Sequence, residues 1–348
     1  MGNTLTCKPK KDSIGDGLVS RSKRVSKSQR MSEEELLHRQ ALAMALQQHQ
    51  LSQRFEGSMS RRIGGSTSSR RHATTISESF SNGKQQVPLC LDNVETKKIV
   101  LVHGEGFGAW CWYKTISMLE EAGLHPIAVD LTASGINNTN ANAVASLAEY
   151  AKPLSIYLAD LQENEKVILV GHSCAGASIS YAMEHYPNKI AKAVFLTATM
   201  VLDGQTPFDI FAEELASAEA FMKESQFLLY GNGKDKPPSG LLFDKQQLKV
   251  LYFNQSPPKD IALATVSMRP MPLAPIMEKL HLTRENYGSV RKYFIQTLDD
   301  RMLSPDIQEK LVRENPPTGV YKIKGSDHCP FFSKPQSLNK ILLEITQI

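Results

Sequence analysis

Near its middle the chain reads Val167-Ile-Leu-Val-Gly-His-Ser-Cys-Ala-Gly176, an apolar run followed by a serine among small residues. The glycine two places before Ser173 matches the pattern G-x-S-x-G, with Ala175 in place of the last glycine. Small residues let a strand turn sharply into a helix, so that the serine hydroxyl projects above the sheet. The stretch therefore predicts a strand, a strained turn and a helix, with Ser173 as a nucleophile.

Apolar strands alternate with helices on both sides of this turn. We predict strands over 98–102, 125–131, 166–171, 192–198, 290–297 and 320–324, and helices over 112–122, 144–161, 174–185, 305–313 and 335–346. Continuous apolar strands separated by helices predict an α/β fold with a mostly parallel sheet and helices on both faces. The alternation stops over about 202–287, where helical pieces and proline-rich turns indicate a cap inserted over the sheet.

A serine hydroxyl needs an imidazole to accept its proton and a carboxylate to orient that imidazole. In a fold of this kind the acid and then the histidine follow the serine in the chain. His328 comes directly after the last predicted strand, and Asp299 and Asp300 end the strand before it. Neighbouring residues there point to opposite sides, so only one of the two acids faces the histidine. We predict a triad of Ser173, Asp300 and His328.

Backbone N–H groups must also stabilise the oxygen of a tetrahedral intermediate. Cys174, directly after the nucleophile, is expected to supply one donor, and Glu105, in the loop after the first strand, the second. We expect His103 to shape that loop, His172 to pack at the turn and Asp130 to be a turn or pocket residue. The five cysteines form no C-x-x-C pair and no cluster with histidine, so we predict no metal site and no disulfide framework.

At these residues the sequence resembles the plant methylesterase family, a branch of the α/β-hydrolases that includes salicylic-acid-binding esterase, polyneuridine aldehyde esterase and the hydroxynitrile lyases. The resemblance runs from about residue 97 to the C-terminus, and its ending and leader look most like the chloroplastic subgroup. It implies an α/β-hydrolase fold and hydrolysis of methyl esters of plant hormones. The motifs that carry it are Val102-His-Gly-x-x-x-Gly-Ala-Trp-x-Trp-Tyr-Lys114, Asp130-Leu-x-x-Ser-Gly135, Val170-Gly-His-Ser173, Asn254-Gln-Ser-Pro257 and Gly325-Ser-Asp-His328.

Two positions depart from the family pattern. Glu105 stands where the family usually has a small residue, and a carboxylate there opposes the charge of an oxyanion unless it points away. Ala175 is the milder change. Glu105 after His103-Gly104, and Cys329 after His328, disfavour cyanohydrin cleavage. Our leading hypothesis is a cofactor-free serine carboxylesterase for methyl indole-3-acetate, methyl jasmonate or methyl salicylate, and the alternative is a weakly active hormone-binding protein or receptor.

Before the predicted hydrolase domain, 86–348, lies a basic leader. Residues 1–85 hold 15 Lys and Arg against 7 Asp and Glu, together with 15 serines. Such a composition buries too little apolar surface to fold, so we expect disorder, apart from one amphipathic helix over 32–55. Ser32 and Glu35 form a capping box at its start.

The leader permits three interpretations. An Arg-rich and Ser-rich segment is typical of a transit peptide, which implies a chloroplast protein. Alternatively, Gly2 within M-G-x-x-x-[ST] predicts myristoylation and Cys7 a second acyl chain, for peripheral membrane contact from the cytoplasm. The third interpretation is an unmodified tail. Without interleaved aromatic residues, nucleic-acid binding is not expected. The partner that we predict is a small-molecule methyl ester, and we predict no particular oligomeric state.

Overall fold

The computed structural model describes residues 91, 93–210, 226–229, 231–233, 235, 238–243 and 245–348. The leader, for which a helix over 32–55 is predicted, and the lipidation candidates Gly2 and Cys7 lie outside the described residues. Within those ranges, none of the helices combines the length and the apolar character that a membrane crossing requires.

In the part of the chain that the structure describes, nine strands form two sheets. They are β1 (Lys98–Val102), β2 (His125–Val129), β3 (Val167–His172), β4 (Ile190–Leu196), β5 (Gln226–Leu229), β6 (Gly240–Phe243), β7 (Met271–Pro272), β8 (Arg291–Thr297) and β9 (Gly319–Ile323) among the described residues. The larger sheet has the order β2-β1-β3-β4-β8-β9, and every neighbouring pair is parallel. The predicted α/β fold with a mostly parallel sheet is confirmed.

Helices cover both faces of this sheet. They are α1 (Tyr113–Glu121), α2 (Leu147–Tyr150), α3 (Lys152–Ala159), α4 (Ala175–His185), α5 (Lys245–Leu251), α6 (Pro258–Ser267), α7 (Ala274–Met277), α8 (Pro305–Glu314), α9 (Pro330–Ser333) and α10 (Pro335–Gln347). Successive side chains of a strand point to opposite faces. In β4, Ala193 and Phe195 pack in one apolar cluster with α3 and α4, whereas Val194 and Leu196 pack in another with α1 and α10. Burial on both faces explains why the central strands are apolar throughout.

The prediction of a single helix over 144–161 is wrong, because the chain forms two helices, α2 and α3, with a break at Ala151. Pro153 has no backbone N–H, so it cannot bond the carbonyl of Glu149 as a continuous helix requires. The Thr132 hydroxyl donates to that carbonyl at 2.6 Å, and the Thr132 backbone N–H donates to the Tyr150 carbonyl at 3.0 Å. The loop after β2 thus satisfies the carbonyls that the break leaves open.

The insertion between β4 and β8 contains a sheet that the sequence analysis missed. Its strands β5, β6 and β7 pair in an antiparallel manner, whereas only helical pieces and turns were predicted there. Each strand has four residues or fewer, and β7 contains Pro272. Strands this short show no readable alternation of apolar and polar residues, which accounts for the omission.

Candidate active site

The turn between β3 and α4 has the strained backbone that its sequence predicts. The φ angle of Ser173 is 54°, in the left-handed region that residues with a side chain rarely adopt. A Cβ atom on Gly176 would lie 2.0 Å from the carbonyl oxygen of Thr199. Only glycine at 176 lets α4 approach that backbone, and the turn then presents the Ser173 hydroxyl at the carboxyl edge of the sheet.

Three side chains from separate strand ends meet at this edge. The Oγ atom of Ser173 lies 2.8 Å from Nε2 of His328, and Nδ1 of His328 lies 2.8 Å from Oδ2 of Asp300. All three side chains are buried. A proton can therefore pass from the serine hydroxyl to an imidazole that a carboxylate orients.

Donors surround both carboxylate oxygens of Asp300. The hydroxyls of Thr197 and Thr297 donate to Oδ2 at 2.7 and 2.8 Å. Two backbone N–H groups that follow Asp300 in the chain donate to Oδ1 at 2.8 and 2.9 Å. Burial by itself raises the pKa of Asp300, but the nearby His328 charge and these hydrogen bonds outweigh it, and the pKa is lowered. Asp300 therefore remains ionised at neutral pH.

The adjacent acid, Asp299, has a different environment. It is exposed, and its backbone carbonyl accepts a hydrogen bond from the Asn254 amide at 2.9 Å. Of the two candidate acids, Asp300 is the one that contacts the imidazole of His328.

The imidazole of His328 favours its charged form. Burial by itself lowers the pKa of this group, but Asp300, Glu105 and Asp327 all raise it, and the net result is a raised pKa. Because Asp300 accepts a hydrogen bond from Nδ1, the other nitrogen, Nε2, faces the serine. This nitrogen accepts the serine proton when the ring is neutral and donates to Oγ when it is charged.

The Glu105 side chain points into the site and not away from it. Its Oε1 accepts a hydrogen bond from the Ser173 hydroxyl at 3.0 Å, and its Oε2 accepts one from the Cys174 backbone N–H at 3.2 Å. The carboxylate is buried and lies 3.9 Å from Nε2 of His328. Burial alone raises the pKa of Glu105, but the charge of His328 and hydrogen bonds lower it overall, so an anion occupies this position.

Tyr252 is a site residue that sequence reasoning missed. Its hydroxyl donates to Oε1 of Glu105 at 2.5 Å, and its ring meets the His328 ring edge to face, with centroids 5.1 Å apart. Tyr252 follows α5 in the insertion and is fully buried. The available signal was its place two residues before the Asn254-Gln-Ser-Pro257 motif, although that spacing says nothing about where the ring lies.

His172 does more than pack at the turn. Its Nε2 atom lies 2.7 Å from the backbone carbonyl oxygen of His328, so Nε2 carries the proton and donates. Burial, together with the charge of His328, lowers the pKa of His172 to about 3. The ring is therefore neutral and fixes the backbone of the candidate base.

His103 and Asp130 shape the neighbouring loop as expected. The Leu131 backbone N–H donates to Nε2 of His103 at 3.1 Å, so Nδ1 carries the proton and donates to the Gly104 carbonyl at 2.8 Å. Asp130 accepts a hydrogen bond from the Ala109 backbone N–H at 2.6 Å. Both side chains bond backbone atoms and neither bonds the triad.

The cysteines near the site carry protonated thiols. Cys111, Cys174 and Cys329 are free and buried, and burial raises the pKa of each thiol. In the described part of the chain, no group of three or more His, Cys, Asp or Glu side chains is arranged to hold a metal ion.

Known proteins have a similar sequence and a similar fold. The sequence model described as the Alpha/beta hydrolase family matches residues 99–341. "Putative methylesterase 12, chloroplastic" of Arabidopsis thaliana is 65% identical over 354 residues, covering 100% of each chain. Methyl jasmonate esterase 1 of Vitis vinifera is 38% identical, over 72% of this chain and 97% of its own.

A solved structure agrees with these matches. The crystal structure of a methylesterase protein MES16 from Arabidopsis superposes with a TM-score of 0.64 and 35% identity, over 71% of this chain and 98% of that one. The resemblance expected from the motifs is confirmed. The chain belongs to the plant methylesterase family of α/β-hydrolases, and it is a carboxylic ester hydrolase by fold and by relationship.

Proposed function

We propose that the chain is a serine carboxylesterase that hydrolyses methyl esters of plant hormones to the free acid and methanol. The observation that carries the proposal is the continuous contact from Ser173 through His328 to Asp300, 2.8 Å at each step. The substrate class is supported by the relatives, which are named methylesterases and include a methyl jasmonate esterase.

In the proposed reaction, Ser173 Oγ attacks the ester carbonyl while Nε2 of neutral His328 accepts its proton. The imidazolium then gives the proton to the departing methoxide, and methanol leaves an acyl-enzyme. Water attacks the acyl carbonyl while His328 again accepts a proton; the imidazolium then returns this proton to Ser173 Oγ as the bond between Oγ and the acyl carbon breaks, and the free acid is released. Asp300 orients the imidazole throughout, and the backbone N–H groups of Glu105 and Cys174 are the proposed donors to the tetrahedral oxygen. No metal or cofactor takes part in this scheme.

Methanol release from a panel of methyl esters tests the proposal. Methyl indole-3-acetate, methyl jasmonate and methyl salicylate are each incubated with the purified protein and with Ser173→Ala. We expect hydrolysis of at least one ester and a loss of at least about 10³-fold in Ser173→Ala. Equal rates for the variant and the parent would show that Ser173 is not the nucleophile.

A binding protein or receptor is the second candidate, because the Glu105 carboxylate bonds the Cys174 backbone N–H that a reacting oxygen needs. Measurements of ligand binding and of methanol release distinguish the receptor from the esterase. A receptor binds the methyl ester or free acid tightly in calorimetry and releases less than one equivalent of methanol. An esterase releases methanol continuously at a rate proportional to enzyme concentration.

We also propose that the protein enters the chloroplast, since relatives that match its full length are named chloroplastic. A C-terminal fluorescent fusion tests this proposal. Plastid fluorescence that persists in Gly2→Ala and Cys7→Ser supports import, whereas membrane fluorescence lost in both variants would support the acylated alternative.

A further inference from the structure

The Glu105 carboxylate lies where an oxygen of the reacting ester is expected. Its Oε2 accepts a hydrogen bond from the Cys174 backbone N–H at 3.2 Å. The Cys174 N–H is one of the two donors predicted for the oxyanion. The Ser173 hydroxyl donates to Oε1 at 3.0 Å, so the nucleophile and this donor face one anion.

We propose that Glu105 is an internal competitor for the oxyanion donor of Cys174: an ester reacts only after this carboxylate has left the Cys174 N–H, and in place it excludes the carboxylate of the free-acid product. The proposal rests on the proposed esterase function and deepens it. A carbonyl oxygen and the Glu105 carboxylate need the same Cys174 N–H group, so they cannot both be bound. A product carboxylate meets in addition the repulsion of a fixed negative charge.

The same carboxylate opposes the first chemical step. It lies 3.9 Å from Nε2 of His328, close enough to stabilise the charged imidazolium. A charged imidazole cannot accept the Ser173 proton, and in this arrangement the hydroxyl donates to Glu105 instead. The charge of Glu105 therefore favours a resting state in which the base is already protonated.

Other titratable groups around Glu105 and His328 also influence the balance between the charged and neutral forms of His328, but they do not replace the effect of Glu105. Asp300 bonds His328 directly and is present whether or not Glu105 is. Among the described residues, the titratable groups that face Glu105 and His328 include Asp300, Asp327, His172, His103, Cys174, Cys329, Tyr150 and Tyr252. Apart from Asp300 and Asp327, none of them is anionic at neutral pH.

Tyr252 holds the carboxylate in place. Its hydroxyl donates to Oε1 at 2.5 Å, and the side chain is fully buried against the site. Burial and the neighbouring carboxylate raise the pKa of Tyr252 well above its ordinary value, so the hydroxyl keeps its proton. Glu105 can therefore leave the Cys174 N–H only if this hydrogen bond breaks or the insertion segment moves with it.

Glu105→Ala vacates the Cys174 N–H, Glu105→Gln keeps the shape but removes the charge, and Tyr252→Phe removes the hydroxyl that retains the carboxylate. Glu120→Ala, which removes an exposed glutamate of α1, is the matched control. Each full-length variant is assayed with methyl indole-3-acetate and p-nitrophenyl acetate, by labelling of Ser173 with a fluorophosphonate, and by inhibition with indole-3-acetate.

We expect Glu105→Ala to raise kcat/KM and the labelling rate by about 10-fold to 100-fold, because one oxyanion donor is worth roughly 10²- to 10³-fold in rate. Indole-3-acetate should inhibit this variant at least about 10-fold more strongly. Tyr252→Phe should show smaller increases, and Glu120→Ala none. In Glu105→Gln the acidic limb of the pH profile for labelling should move to lower pH, since the base loses a stabilising anion.

Unchanged labelling, turnover and product inhibition in a folded Glu105→Ala would overturn the proposal. If Glu105→Ala unfolds, Glu105→Gln is tested in its place. A midpoint of the pH profile for labelling and an inhibition by indole-3-acetate that both equal the parent's would then reject the proposal. A failure of the proposed esterase function would give a different result, because Ser173→Ala would then hydrolyse the esters as fast as the parent.

Discussion

The Ser256 hydroxyl donates to Oδ2 of Asp327 at 2.7 Å, and this bond joins the insertion to the loop that carries His328. The backbone N–H of Gln255 donates to the same oxygen at 2.9 Å, and the Cys329 N–H donates to Oδ1 at 3.0 Å. The segment Asn254-Gln-Ser256 thus bonds the loop of the candidate base, and through Asn254 it also bonds the loop of the candidate acid. A displacement of this segment is expected to disturb both loops.

Asp327→Ala should therefore lower both stability and turnover. Removing the carboxylate leaves three donors, two of them buried, without their acceptor, which costs about 3 kcal/mol in the free energy of unfolding. Urea denaturation measures this loss, and kcat should fall by roughly 10-fold because His328 is less well positioned. Asp160→Ala, at an exposed aspartate, should change neither quantity. An Asp327→Ala variant as stable and active as the parent would show that the insertion does not position the base loop.

Asp300→Asn should reduce kcat by roughly 10³- to 10⁴-fold with little change in KM. The amide cannot stabilise the His328 imidazolium, and it permits the wrong tautomer of the ring. Steady-state kinetics on the preferred methyl ester measure the effect. Asp299→Asn is the matched control, because this neighbouring carboxyl is exposed and its contact with Asn254 uses the backbone carbonyl. A comparable loss in both variants would argue against Asp300 as the orienting acid.

The positions of Ser173, Asp300 and His328 could be predicted because each follows a strand of the parallel sheet. Parallel strands end at one edge, so residues far apart in sequence meet there once the strand order is right. The turn at Ser173 could also be predicted, since the small residues around it are required by the close approach of α4. Strand ends and glycine positions are local properties of a sequence.

Side-chain direction could not be predicted in the same way. The sequence places Glu105 in the loop after β1, but only the surrounding donors, from Ser173, Cys174 and Tyr252, explain why its carboxylate turns inward. Tyr252 comes from an insertion whose short strands and turns have no readable period. Contacts between distant segments of irregular structure depend on the packed fold, and no local pattern encodes them.

The pH dependence of turnover should report His328 and not His172. The pKa of His328 is raised, so the base is protonated at mildly acidic pH, and kcat/KM should rise with pH through that raised pKa. His172, with a pKa of about 3, is neutral across the assay range. His172→Phe should lower kcat by about 5-fold through loss of one hydrogen bond to the His328 carbonyl, and leave the acidic limb of the profile in place. Disappearance of that limb in the variant would mean that His172 is the titrating group.

Substitutions at Gly176 and at Ala175 should have different effects on the turn that carries Ser173. A methyl group at 176 would lie 2.0 Å from the Thr199 carbonyl oxygen, so Gly176→Ala forces α4 away from the backbone and should cost about 2–3 kcal/mol of stability. Ala175 is buried without strain at the first position of α4, so Ala175→Gly, which restores the common motif, should cost only about 1 kcal/mol from lost helix propensity. Urea denaturation of the two variants, with fluorophosphonate labelling of Ser173 beside it, gives the comparison. Labelling should fall in Gly176→Ala and persist in Ala175→Gly, because only the first change displaces the nucleophile; equal losses would mean that the helix approach does not determine the turn.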